Sequence, residues 1–100
     1  MNAYEKVMNH YGDMKQLEKS VEELRELANA IEAYLMNIKT RNYLMANKYV
    51  QDVFGERADV GNVLHYVDEV FNFDKEHIEF EMDRKMQRTL ERIEKESAKL

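Results

Sequence analysis

The chain has 100 residues and a formal net charge of −5; 35% of its residues are charged, and none is cysteine. This length predicts one domain, residues 1–100, with a modest core. The acidic balance argues against a nucleic-acid polymer as partner, and the lack of cysteine excludes disulfides and cysteine-based zinc sites.

The sequence also lacks targeting and membrane signals. Residues 1–14 have no positively charged start followed by an apolar run, so they do not read as a signal peptide. No apolar stretch approaches the roughly 20 residues that a membrane span needs. We therefore expect a soluble, cytoplasmic protein that has no membrane partner.

Apolar residues recur at three- and four-residue steps, and the chain has no proline and only three glycines. This pattern predicts an all-α fold. Gly12 breaks any short helix before it, and Asp13 with Gln16 resembles a capping box. A long first helix should follow, with a continuous apolar seam: Met14, Leu17, Val21, Leu24, Ala28, Ile31, Leu35 and Ile38.

Two further helices follow in chain order. In residues 39–48 apolar residues no longer recur at three- and four-residue steps, which predicts a loop or a short helical turn. A second helix is predicted over residues 50–71. Residues 72–74 offer caps for a third helix, and we expect residues 97–100 to fray. The third helix has its own apolar face: Ile78, Met82, Met86, Thr89, Leu90 and Ile93.

Three long amphipathic helices make a thin bundle. The second helix is apolar over more of its circumference than two neighbours would cover. We therefore expect a homodimer or homotetramer, in which a second copy completes a four-helix core across the interface.

Glu56 is the most informative residue. At 100° per residue it projects into the apolar stripe of the second helix, between Val53 and Val60, and Asp59 lies one turn further at the edge. An ionised carboxylate costs several kcal/mol to bury unless a positive charge meets it. No Lys or Arg of this helix shares that face, so the partner must come from elsewhere, and a metal ion is the obvious candidate.

The first helix carries a matching acidic run, Glu22, Glu23 and Glu26, with the last two on neighbouring turns. If the two helices pack antiparallel, the two pairs of acids face each other and need cations among them. Carboxylate oxygens without sulfur suit Mg²⁺ or Mn²⁺. Di-iron bundles need Glu-x-x-His motifs, which are absent.

The paired motifs E-E-x-x-E and E-x-x-D, with the flanking text QLEKSVEELRELANAI and ERADVGNVLHYV, carry a family resemblance. Over residues 16–92 the chain resembles the MazG-like superfamily of all-α nucleoside triphosphate pyrophosphohydrolases. The resemblance implies Mg²⁺-dependent hydrolysis of a nucleoside or deoxynucleoside triphosphate to the monophosphate and pyrophosphate.

The resemblance also implies roles for the acids. The metal ligands would be Glu23, Glu26, Glu56 and Asp59, and Glu22 would orient water or act from the outer shell. All five would be catalytic.

Substrate contacts are predicted on two helices. Lys85 and Arg88 form a cationic edge on the third helix that would hold the triphosphate, as basic residues of the family do near this position. Asn62 and Tyr66 lie one and two turns beyond Asp59, where an amide and a ring would read and stack a base.

A non-catalytic reading competes with the enzyme. An acidic helical interaction module that binds a basic protein partner would also explain the amphipathic seams and the negative charge. It would not explain why four acids fall in two pairs with i,i+3 spacing, one of them on an apolar stripe.

Overall fold

The computed structural model describes residues 1–99, which form four α-helices and no strand, so the all-α prediction is confirmed. The helices are α1 (Ala3–Tyr11), α2 (Asp13–Lys39), α3 (Tyr43–Phe71) and α4 (Lys75–Ala98). In this part of the chain, no helix combines the length and apolarity that a membrane crossing requires. Of the segment expected to fray, residues 97 and 98 are helical, and Leu100 lies outside the described residues.

Gly12 alone separates α1 from α2. Its φ of 85° lies in the left-handed region that glycine enters without steric cost, and its N–H donates to the Met8 carbonyl at 2.8 Å. The predicted break is confirmed. The predicted capping box is wrong, because Gly12 occupies the cap position and Asp13 already belongs to the first turn of α2. There its negative charge favours the positive end of the helix dipole.

A three-residue turn joins α2 to α3. The N–H of Asn42 donates to the Asn37 carbonyl and that of Arg41 to the Ile38 carbonyl, which forms a Schellman motif with Arg41 at φ 60°. The Asn42 side chain then caps α3 by accepting from the N–H of Met45 at 3.4 Å. The loop predicted over residues 39–48 is therefore much too long. Asn42 starts the helix early, and α3 gains two turns.

The antiparallel pair of α2 and α3 forms the core. On α3 the inward column runs through Ala46, Tyr49, Val53, Glu56, Val60 and Val63. On α2 the fully buried residues are polar: Gln16, Ser20 and Glu23. The apolar seam predicted for α2 lies mostly on the other side, where Leu24 and Leu35 are 42% and 45% exposed. The face of α2 that packs in the chain is thus not its most apolar one.

Helix α4 leaves the pair through a second Schellman turn. Asn72 adopts the left-handed conformation at φ 55°, and the N–H of Phe73 donates to the Asp68 carbonyl. Within the described residues, α4 does not pack against α1, α2 or α3. Its apolar stripe faces solvent, with Met82 63% and Leu90 46% exposed. Within one copy α4 therefore stays outside the helix packing, and completion of the bundle by a second copy stays a prediction.

Arg41 provides a test of the turn. Left-handed backbone costs an L-residue other than glycine or asparagine about 1–2 kcal/mol, so Arg41→Gly should raise the free energy of unfolding by up to about 1 kcal/mol. The matched control is Arg25→Gly in the exposed interior of α2, which should lower it by about 1 kcal/mol. Urea unfolding of both variants measures the two shifts. A loss of stability in Arg41→Gly would contradict the assigned turn.

Candidate metal centre

Three carboxylates converge where α2 crosses the middle of α3. Glu23 comes from α2, and Glu56 and Asp59 come from successive turns of α3. One oxygen from each lies within 4.8 Å of the other two. Glu23 is buried, Glu56 is half-buried and Asp59 is exposed, so the cluster reaches from the helix interface to solvent.

Two of these oxygens are buried without a hydrogen-bond donor. Within residues 1–99, Oε2 of Glu23 and Oε2 of Glu56 have no hydrogen-bond partner. Glu23 is only 7% exposed, and a buried oxygen without a hydrogen bond is costly. Since each carboxylate also repels the others, a cation at the cluster would relieve both costs.

Lys19 gives the cluster a partial counter-charge. Its Nζ lies 2.8 Å from Oε1 of Glu23 and 3.8 Å from Oε2 of Glu22. The hydrogen bond from Lys19 lowers the pKa of the Glu23 carboxyl below its ordinary value, even though burial opposes that shift. The same contacts raise the pKa of Lys19. Sequence reasoning missed this residue, although its i,i+4 spacing to Glu23 was visible.

Glu26 lies beside the cluster rather than in the group of three. It is half-buried, and this desolvation raises the pKa of its carboxyl. The negative charges of Glu23 and Glu56 add to that rise. Glu26 therefore experiences the excess negative potential of the site and stands close enough to assist it.

The cluster opens into a groove of about 570 Å³ between α1, α2 and α3. Its volume lies within the usual range of small-molecule pockets, about 300–1,000 Å³. Asn62 and Tyr66 line it beside Asp59, as the sequence suggested. The groove is also lined by two cationic residues that sequence reasoning did not single out, Lys15 and Lys19.

Helix α1 holds the α3 side of this groove through Tyr4. The Tyr4 hydroxyl donates to Oδ1 of Asn62 at 3.0 Å, and its ring lies 4.4 Å from His65 and 5.6 Å from Tyr66 between centroids. These contacts fix the Asn62 amide, whose NH₂ group remains free to meet a ligand. No sequence motif pointed to Tyr4.

Lys85 and Arg88 are not brought to the carboxylates. Both lie on α4, which does not pack against the other described helices. Lys85 instead borders a separate hollow with Phe73, Ile78 and Met82. Within one copy, α4 therefore contributes no charge to the cluster.

The donor set fits a hard divalent cation. All the oxygens are carboxylate oxygens, and Mg²⁺ and Mn²⁺ prefer such ligands to nitrogen or sulfur. The two unpaired buried oxygens are the observation that supports the fit. Glu23, Glu56 and Asp59 would hold the ion.

Comparison of the chain with protein-family models, with curated proteins and with solved structures gave no match. The geometry of the site and the sequence motifs therefore carry the functional argument.

The raised pKa of Glu26 predicts how the stability of the fold depends on pH. Because its pKa is raised in the fold, its contribution to stability is complete below the ordinary value of 4.5 and is lost as pH rises through the folded-state value. Glu26→Gln, which stays neutral, should therefore raise the melting temperature of metal-free protein at pH 7. The gain should shrink as pH falls through the folded-state pKa of Glu26 and should be lost below 4.5. Thermal melting across this range is the measurement, and a gain that grows toward acid pH would contradict the raised pKa.

Proposed function

We propose that this chain is a nucleoside triphosphate pyrophosphohydrolase of the MazG-like type, which converts its substrate to the monophosphate and pyrophosphate. The observation that carries the proposal is the cluster of Glu23, Glu56 and Asp59, with two buried oxygens that lack donors. The resemblance of the paired acidic motifs supports the same reaction. A solvated acidic face would not bury a carboxylate in an apolar column.

The reaction is the attack of water on the α-phosphorus, with pyrophosphate as the leaving group, and it needs no protein nucleophile. A divalent ion at the cluster would neutralise charge on phosphate oxygens and make a water molecule more acidic. The three carboxylates would hold the ion at the mouth of the groove, where Asp59 reaches solvent. Glu23 and Glu56 would hold it from the helix interface, where Glu23 is buried and Glu56 is half-buried.

A general base must take the proton that the attacking water loses. Glu26 lies beside the three ligands, and its half-buried carboxylate is the acid next to the cluster that is left to accept a proton. We assign it the proton of the water that attacks the α-phosphorus as the bond from that phosphorus to the leaving pyrophosphate breaks. Glu22 lines the groove beside the cluster, and we assign it the role of orienting that water.

The groove next to the cluster suits the nucleoside. Tyr66 presents an aromatic ring, and Asn62 presents an amide whose oxygen already accepts from Tyr4. The amide NH₂ group would then donate to an acceptor on the base or sugar. We therefore keep Asn62 and Tyr66 as the proposed substrate-binding residues, the role predicted from the sequence.

The active form in this proposal is a homodimer or a larger homo-oligomer. The stripe of α4 and the outer seam of α2 are two exposed apolar faces on one small chain. Exposed apolar surface of this extent favours association. In such an assembly, Lys85 and Arg88 of one copy would approach a triphosphate bound to another copy.

Pyrophosphate release tests the reaction and the site together. We expect the wild-type protein with Mg²⁺ to release pyrophosphate and the matching monophosphate from at least one member of a panel of NTPs and dNTPs. Glu56→Gln should lower this activity more than roughly a hundredfold, since it removes a charged ligand.

Glu69→Gln is the matched control, since it makes the same change on α3 about 20 Å further along the axis. It should leave the rate unchanged. Release of pyrophosphate by Glu56→Gln at the wild-type rate would show that the assigned site is wrong. Absence of release from every nucleotide, with Mg²⁺ or Mn²⁺, would contradict the proposed reaction.

Sedimentation over a range of protein concentrations tests the assembly. Wild-type protein should sediment with at least twice the mass of one chain. Leu90→Glu should weaken association at least about tenfold, because it places an unpaired charge in the covered stripe. Gln87→Glu adds the same charge on the flank of α4 and should not change association. A wild-type monomer at every concentration would contradict the proposal and point to a different protein on the stripe.

A further inference from the structure

We propose that Lys19 and Lys15 bind the phosphate chain of the substrate, a role that the sequence assigned to Lys85 and Arg88. This inference rests on the proposed function, because it names what recognises the polyphosphate at the same site. Of the described residues that line the groove, only Lys15 and Lys19 are cationic. Lys85 and Arg88 lie on a helix that does not reach the groove within one copy.

Helix geometry places the two lysines in line with the carboxylates. Lys15, Lys19 and Glu23 are each four residues apart on α2, so they share one face, and each step is about 6 Å along the axis. Along this face of α2 the groove therefore presents the Glu23 carboxylate and then two ammonium groups, while Glu18 and Glu22 line the groove from the adjoining face. This order suits a metal-bound polyphosphate. Some of its phosphate oxygens would bind the metal ion at the carboxylates, and the others would need hydrogen-bond donors such as the two lysines.

Glu23 connects the two lysines to the carboxylate cluster. Its Oε1 accepts from Lys19 at 2.8 Å, whereas its buried Oε2 has no hydrogen-bond partner among the described residues. One oxygen is thus available to the cluster while the other holds Lys19 at the groove. The side chain of Lys19 is 52% exposed, so its ammonium group lies on the side that a ligand approaches.

The ammonium group of Lys19 has N–H donors that Glu23 does not use. It carries three N–H groups, and the carboxylate of Glu23 uses one of them. Its 3.8 Å distance from Glu22 is too long for a hydrogen bond. Lys15 is exposed and forms no ion pair within residues 1–99. A purely structural salt bridge would explain Lys19 but would leave Lys15 without a role.

Binding of Mg²⁺–tripolyphosphate, followed by calorimetry, tests the inference without turnover. We expect Lys19→Gln to weaken this binding about tenfold, the value of one charge-assisted hydrogen bond, and Lys15→Gln to weaken it severalfold. Lys19→Arg keeps the charge and should retain most of the affinity. The control is Lys39→Gln, which removes the same charge at the far end of α2, about 30 Å from Lys19, and should change nothing.

Mn²⁺ binding to the same variants, measured by electron paramagnetic resonance, separates the possible failures. Lys19→Gln should bind Mn²⁺ at least as tightly as wild type, because a competing positive charge has been removed. If Lys19→Gln and Lys15→Gln bind tripolyphosphate like wild type, the inference is overturned and the metal site stands. If wild type binds Mn²⁺ but not tripolyphosphate, the inference is also overturned. If wild type binds no Mn²⁺, the proposed function fails, and this inference fails with it.

Discussion

Repulsion among Glu23, Glu56 and Asp59 is the constraint on which the rest of the structure depends. The three carboxylates meet at the interface of α2 and α3, which pack extensively, and two of their oxygens are buried without a donor among residues 1–99. The apolar contribution that opposes this repulsion is small. Among the described residues, the fully buried apolar side chains are those of Ala46, Val60 and Val63. A protein built for stability alone would place uncharged residues at the shielded positions of Glu23 and Glu56, which supports the functional role proposed for them.

Much of the fold could be read from the sequence because helical periodicity determines which residues share a face. The break at Gly12, the turn at residues 72–74 and the position of Glu56 in the α3 column all follow from spacing. The start of α3 could not be read in this way. Asn42 caps the helix through a side-chain hydrogen bond, and the Schellman turn places a non-glycine residue, Arg41, in the left-handed region, so composition gave no sign of it.

Periodicity identifies apolar faces but does not say which neighbour covers each one. The α2 seam is the most apolar face of its helix, yet α3 packs against the column that contains Gln16, Ser20 and Glu23. The same limit applies to the site. Glu23, Glu56 and Asp59 were identified from charge on or beside an apolar stripe, whereas Lys19 resembled one of the many Lys–Glu pairs on solvated helix surfaces. Only the tertiary packing shows that its partner is buried.

The isolation of α4 has a consequence for how this helix folds. An isolated helix is marginal in water, and most helices in proteins owe their order to packing of an apolar face. Helix α4 has 24 residues and no tertiary contact with the other described helices. Its backbone hydrogen bonds therefore depend on packing that the other described helices do not provide. In dilute solution its amide hydrogens should exchange with solvent far faster than those of α2 and α3, and in the proposed assembly helical content should rise with protein concentration.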